Sequence, residues 1–316
     1  MSIKLVLSTH EDPRLPERIR EAVPQVKVVV ANDDATALKE IVEADAFYGQ
    51  ITPKLLAAAR RLRWIQSPAI GLERTMFPEL IAHPVVLTNP RGIFADDIAD
   101  HVMALLTGFA RGLPRLLRFQ LQHEWHPQDY QVMHLPDCTI GIVGLGGIGS
   151  AVAKRAAAFE MRVIAVDARR TDRPNEVSEL WPASRLHDLL GQSDFVVICA
   201  PETPETRGMF GSAAFKAMRS SAYLINIGRG KIVQLDALVE ALRAGELAGA
   251  GLDVFEIEPL PADHPLWGME NVVITPHVAG VGPYTVERRH QVLLENVRRF
   301  VAGEPLINVV DKVQWF

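Results

Sequence analysis

Short apolar runs alternate with amphipathic stretches along almost the whole chain. Residues 3–7, 26–30, 46–48, 62–66 and 85–88 read as strands, and 16–22, 35–43 and 53–59 as the helices between them. Helices regularly interposed between strands predict a parallel sheet with helical crossovers, so the first ~95 residues read as a small α/β domain. From Asp96 the period changes. Ile98, Val102, Leu105, Leu106, Phe109 and Leu113 recur at helical spacing, and a second amphipathic helix is expected over 116–122. An irregular, aromatic-bearing segment with Trp125 and Tyr130 follows; its apolar excess suggests a subunit contact. Beyond it the alternation resumes. Strands are expected at 138–143, 162–166, 195–199, 223–227, 248–252 and 272–275, with helices at 150–160, 186–190, 213–218, 236–244 and 285–301. The run 195–199 is apolar throughout, as a strand covered on both faces must be.

One junction carries chemistry. The strand-like run from Cys138 breaks into Gly144, Gly146 and Gly149, the spacing G-x-G-x-x-G, and an alanine-rich helical run follows. The next strand ends in Asp167, 18 residues after Gly149, against the ~20 expected of a dinucleotide fingerprint. Gly144 permits a tight turn, Gly146 lets a pyrophosphate approach the backbone, and Gly149 lets helix and strand pack closely. The helix start then turns free N–H groups and its positive pole toward the phosphates.

Other chemically capable residues fall at strand ends too: Pro201, Arg229, Asp253 and His277. Ligands of open α/β sheets bind outside the carboxyl ends of the strands, so residues scattered along the sequence can share one cleft. Arg229, between two glycines, can grip a carboxylate in bidentate fashion. His277 suits proton transfer beside a hydride step. A carboxylate in the segment 255–261 would hold that ring and favour its protonated form; the residues alone leave Glu256 and Glu258 open. His101, inside the long helix, reads as a packing or hinge residue. Ser67 to Gly71, small residues after a strand, can present backbone N–H groups to an anion or form a plain turn. Tyr48, Gln50, Phe94 and Trp125 are candidates for shaping a pocket.

Composition narrows the classes. The chain has 316 residues, 48% hydrophobic and 22% charged, with net charge −5. Its length suits two domains. With no basic block, nucleic acid is not expected as a partner. No apolar run is long enough to span a bilayer, and the N-terminus is too short and too quickly polar for a signal peptide, so a cytoplasmic protein with no membrane partner is expected. Cys138 and Cys199 read as small buried hydrophobes. No His/Cys/Asp cluster has metal-ligand spacing, so no metal is expected.

Four motifs together are specific: Gly144-Leu145-Gly146-Gly147-Ile148-Gly149, Asn226-Ile227-Gly228-Arg229-Gly230, Gly251-Leu252-Asp253-Val254-Phe255 with Glu258-Pro259-Leu260, and Thr275-Pro276-His277-Val278-Ala279. Through them essentially the whole chain resembles the D-isomer-specific 2-hydroxyacid dehydrogenases, which include glyoxylate/hydroxypyruvate reductases and D-3-phosphoglycerate dehydrogenases. The resemblance implies two Rossmann/flavodoxin-like domains with parallel sheets and an active site in the interdomain cleft. The substrate-binding domain would be discontinuous, 1–97 with 285–316, around a dinucleotide-binding domain at 98–284. It implies Arg229 as substrate anchor, Glu258 (not Glu256) as partner of the acid/base His277, and Ala69, Ile70 and Gly71 as backbone donors to the substrate carboxylate. Asp253 falls where the family holds the nicotinamide carboxamide. The expected cofactor set is Gly144, Gly146, Gly147, Ile148, Gly149, Asp167, Arg169, Pro201, Thr206, Ile227, Asp253 and Gly280. The family's Ala-Glu-His appears here as Ala99-Asp100-His101. Lack of the C-terminal regulatory domain of some phosphoglycerate dehydrogenases weighs against that substrate.

The expected reaction interconverts a small 2-oxo acid and its D-2-hydroxy acid, in a homodimer. Asp167 favours NAD and repels the extra phosphate of NADP, while Arg169 and Arg170 could accept it, so NADP stays an alternative. Two other readings stand beside this one: a glyoxylate/hydroxypyruvate reductase preferring NADPH, and an NAD-sensing corepressor-like protein without catalysis.

Overall fold

In the computed structural model the described residues are 3–8, 12–73, 75–128 and 130–315. The chain divides into two compact units, Met1–Ile93 with Gly282–Phe316, and Phe94–Val281. The expected boundaries, 97/98 and 284/285, differ by a few residues: the helix Ala95–Ala110 lies wholly in the second unit.

The first unit holds β1 (Ile3–Leu7), β2 (Val26–Val30), β3 (Ala46–Tyr48), β4 (Trp64–Gln66) and β5 (Val86–Thr88). They form a parallel sheet in the order β2-β1-β3-β4-β5, the flavodoxin-like order. The last segment of the chain completes this unit. The apolar face of the helix Thr285–Ala302, with Leu293, Leu294 and Val297, is buried against β1, β2 and the helix Leu15–Ala22. A buried polar chain fixes it: Trp64 Nε1 donates to Thr88 Oγ1 (2.8 Å), Thr88 to Gln66 Oε1 (2.8 Å), and Asn296 Nδ2 to the same Gln66 oxygen (3.0 Å). Each buried polar atom in that chain has a partner, as burial requires. Tyr48, a candidate for the pocket, lies instead in this core at 2% exposure. A strand residue directed into the sheet's packed face cannot also line a pocket.

The second unit holds β6 (Thr139–Val143), β7 (Arg162–Asp167), β8 (Glu179–Pro182), β9 (Phe195–Ile198), β10 (Tyr223–Asn226), β11 (Gly249–Leu252) and β12 (Val272–Ile274). All pairings are parallel and the order is β12-β11-β10-β9-β6-β7-β8. Counted from β6, this is the 3-2-1-4-5-6 Rossmann order with one more strand at the far edge. β6 and β9 are buried at every position. The edge strand β8 was not expected. Glu-Leu-Trp-Pro lacks the apolar run of a central strand, and an edge position does not demand one. The helix Ala95–Ala110 buries Ala99, Val102, Leu106 and Phe109 against the helix Gly147–Ala158 and the sheet. β11 gives it room: a Cβ on Gly251 would stand 3.1 Å from the Phe109 ring.

Candidate active site

The loops after β6, β7, β9, β10, β11 and β12 carry the candidate residues of the second unit. Gly144 turns with φ +93°, a left-handed value that favours glycine, and a Cβ there would stand 2.8 Å from Ala200 N. A Cβ on Gly149 would overlap Gly144 O, so helix and turn pack backbone to backbone. The helix starts at Gly147, not at 150 as the alanine run suggested; the glycines themselves form its first turn.

Gly146 is different. A Cβ there would meet nothing within 4 Å, and the backbone conformation (φ −74°, ψ −156°) is open to other residues. Neither packing nor backbone demands glycine at this position. The clearance lies at a helix N-terminus, where the first N–H groups have no helical acceptor. The residues present therefore suit a bound pyrophosphate.

Asp167 ends β7 beside the glycine turn. Its Oδ2 accepts from Leu145 N (2.7 Å), and its Oδ1 from the backbone N–H groups of Arg169 and Arg170 (both 2.8 Å). Arg170 turns back on the glycine loop, donating to Leu145 O (3.0 Å), Ser150 Oγ (2.7 Å) and Asp172 Oδ2 (2.9 Å). Its charge is therefore matched by Asp172, whose carboxyl the Arg170 hydrogen bond holds below the usual range. In the loop after β9, Thr206 donates to Pro201 O (2.7 Å) and accepts from Thr203 N (2.8 Å), closing the turn. Ile227 is buried past the end of β10, and a Cβ on Gly280 would stand 3.1 Å from the ring of Phe94. Burial pushes the Cys138 thiol up to about 11 and that of Cys199 up to about 12, so neither ionises near neutrality.

Arg229 sits in a turn set by Asn226, a residue of the motif whose role was not read from sequence. Asn226 Oδ1 accepts from Gly228 N (3.1 Å) and its Nδ2 donates to Arg229 O (3.1 Å). A Cβ on Gly230 would overlap the carbonyl of Phe255, so this turn lies directly on the segment that carries Glu258. Glu258 Oε1 accepts from Phe255 N (2.9 Å) and its Oε2 from His277 Nδ1 (2.8 Å). Since the carboxylate can only accept, His277 carries its proton on Nδ1, and Nε2 points to the other side of the ring. The ring is 51% exposed and Glu258 33%. The Arg229 guanidinium donates from Nη1 to Gly228 O (2.7 Å).

His277 has φ +55°, a conformation that costs a side chain other than glycine roughly 1–2 kcal/mol. The surrounding bonds sustain it: His277 N donates to Asp253 O (2.8 Å), while the Asp253 carboxylate accepts from Thr275 Oγ1 (2.7 Å), Val278 N (2.9 Å) and Ala279 N (3.0 Å). Only 2% of the Asp253 side chain is exposed. Here Asp253 holds the loop that carries His277, a role that sequence alone did not reveal because the partners lie more than 20 positions away.

In the first unit, Ser67 Oγ accepts from Ala69 N (3.1 Å) and donates to Ala69 O (2.9 Å), and Asn89 Nδ2 donates to Ile70 O (3.3 Å). The N–H of Ala69 is thus engaged inside its own loop. Gln50 donates to Thr75 Oγ1 (3.0 Å).

The family described as D-isomer specific 2-hydroxyacid dehydrogenase, NAD binding domain, matches residues 103–279. A glyoxylate reductase of Korarchaeum cryptofilum is 36% identical over 302 residues, covering 92% of this chain and 88% of that protein. Among solved structures, an NADPH-dependent glyoxylate/hydroxypyruvate reductase of Sinorhizobium meliloti, in complex with NADP and sulfate, superposes with TM-score 0.87 at 29% identity, covering 99% of this chain and all of that one. A D-lactate dehydrogenase of Aquifex aeolicus, complexed with NAD and lactic acid, superposes with TM-score 0.81 at 26% identity, covering 97% of this chain and 99% of that one.

Proposed function

The chain belongs to the D-isomer-specific 2-hydroxyacid dehydrogenases, an NAD(P)-dependent oxidoreductase family, and from this we propose that it reduces a small 2-oxo acid of the glyoxylate/hydroxypyruvate class to the D-2-hydroxy acid. The observation that carries the reading is the His277–Glu258 pair. With Nδ1 donating to the carboxylate, His277 presents Nε2, protonated in the imidazolium form, to a forming alkoxide. Glu258 is itself oriented by Phe255 N, so the pair is fixed from both ends. Arg229 orients the substrate carboxylate. The Gly144–Gly149 turn, Asp167 and the loop 201–206 would hold the dinucleotide, which when bound supplies the hydride.

NAD is the cofactor we favour. Asp167 is fixed at the end of β7 by three backbone donors, and Arg170 is engaged with Asp172 and the glycine loop. An added phosphate would meet the carboxylate, whereas ribose hydroxyls can still donate to its remaining acceptor site.

We also propose a cytoplasmic homodimer. Among the described residues no helix is long and apolar enough to cross a membrane. The helix Leu113–Gln122 has no buried residue. Leu113, Leu117 and Leu121 recur every fourth position on one face, Leu121 being 81% exposed, and Trp125 just beyond is 92% exposed. A second copy of the chain, bringing the same stripe, would cover it by isologous contact.

The test is a turnover screen of glyoxylate, hydroxypyruvate, pyruvate and bulkier 2-oxo acids with NADH and NADPH. Turnover of glyoxylate or hydroxypyruvate with higher kcat/KM for NADH is expected. His277→Gln should lower kcat by at least ~100-fold while cofactor binding stays intact. Retention of most turnover in that variant would remove His277 from the mechanism.

A further inference from the structure

We propose that His101 is a positioning residue for the loop that presents His277, acting through the hydroxyl of Thr275. The inference rests on the reading of His277 as acid/base. His101 lies on the helix Ala95–Ala110, and its Nε2 stands 3.1 Å from Thr275 Oγ1 and 3.9 Å from Asp253 Oδ1. The hydroxyl proton of Thr275 is committed to Asp253 Oδ1 at 2.7 Å. A hydroxyl has one proton to donate, so toward His101 it is an acceptor, and His101 carries its hydrogen on Nε2. The bonds then run in one direction: His101 Nε2–H to Thr275, and Thr275 O–H to the buried Asp253 carboxylate. That carboxylate receives Val278 N and Ala279 N, and the Asp253 carbonyl receives His277 N.

The His101 N–H polarises the Thr275 hydroxyl and so strengthens the Thr275–Asp253 bond, which it does not itself touch. Without His101, Thr275 loses the partner that fixes its rotamer, and the hydroxyl can turn away from Asp253. The φ +55° of His277 is then less firmly held, and the Nδ1–Glu258 alignment with it. The ring of His101 is 21% exposed and packed at the end of the sheet, so it does not need to meet a ligand to have this effect. The long helix, whose register is fixed by its contact with the Gly147–Ala158 helix and by Arg155 donating to Asp100 (2.6 Å), thereby sets the position of a residue on a loop far along the chain.

The experiment uses the full-length protein and the variants His101→Ala, His101→Gln and Thr275→Val. It reads steady-state kcat and KM for the 2-oxo acid and for NADH, and amide hydrogen exchange across 272–281. His101→Ala should lower kcat about tenfold, leave KM for NADH unchanged, and speed exchange of the 277–279 amides. His101→Gln, whose amide Nε2–H can donate from nearly the same place, should restore most of both. Thr275→Val should reproduce the alanine phenotype with His101 intact. Equal impairment of the glutamine and alanine variants would show that the ring's packing matters and its hydrogen bond does not, which overturns the proposal, as would wild-type kcat and exchange in His101→Ala. If His101→Ala does not fold, an impaired Thr275→Val beside a near-normal His101→Gln supports the proposal, and any other pairing overturns it. Should the wild type turn over no 2-oxo acid, the functional reading fails, while the exchange rates still decide whether His101 holds the loop.

Discussion

At the scale of single residues, glycines that look alike in the motif do different jobs. Gly149 is required by the protein itself, since a Cβ there overlaps Gly144 O. Gly146 is not, since a Cβ there meets nothing. Gly149→Ala should therefore lower Tm, with a loss of about 1–3 kcal/mol typical of an overpacked site. Gly146→Ala should leave Tm unchanged and weaken NADH binding about tenfold, or ~1.4 kcal/mol. Thermal melts and a fluorescence titration of NADH on the two variants check this. Equal effects of both on Tm would mean that position 146 is structural. The motif was legible in sequence as a spacing. Which glycine serves the fold and which leaves room for a ligand depended on what stands opposite each. The same holds for Ala69, whose N–H a sequence cannot show to be engaged by Ser67.

At the scale of elements, the strands were read with small errors because both faces of a central parallel strand are covered and the apolar run marks it directly. The helix ends and β8 were less legible, because a cap or an edge strand is decided by neighbours. The C-terminal helix Thr285–Ala302 adds a testable tie. Arg18 on the helix Leu15–Ala22 donates to both carboxylate oxygens of Glu287 at 2.8 Å, and this hydrogen bond first of all holds the Glu287 carboxyl below its ordinary range. A lowered folded pKa means stability that is present above the unfolded value, ~4.3, and lost as pH falls through the folded one. Arg18→Ala should then lower Tm at neutral pH, by no more than the ~1 kcal/mol of an exposed pair. The difference from the parent should shrink below about pH 4 and vanish once Glu287 is protonated in both. Tm measured on both proteins across that range checks the sign; a difference independent of pH would place the effect in packing and not in the ion pair.

At the scale of the whole molecule, the leucine stripe of the helix Leu113–Gln122 is an apolar feature that a single chain leaves uncovered. The parent protein should elute at twice the mass of the 34.9 kDa chain. Leu117→Glu with Leu121→Glu should give a monomer with the same far-ultraviolet circular dichroism, because neither side chain is part of a core. Light scattering coupled to gel filtration distinguishes the outcomes. A monomeric parent would leave the stripe without a second copy to cover it.

The sequence by itself determined the α/β class, the parallel sheets, the glycine turn with its acid, and the strand-end residues Arg229, Asp253 and His277, because each is written in a local period or spacing. Only the tertiary structure decided what these residues touch. It chose Glu258 as the neighbour of His277 on geometric grounds, at 2.8 Å. It gave Asp253 to the loop of His277, brought His101 to Thr275 across 174 positions, and moved Tyr48 from a pocket into the core. Such pairings depend on the strand order and on the close approach of one loop to the next, and neither is written in the residues on either side of the contact.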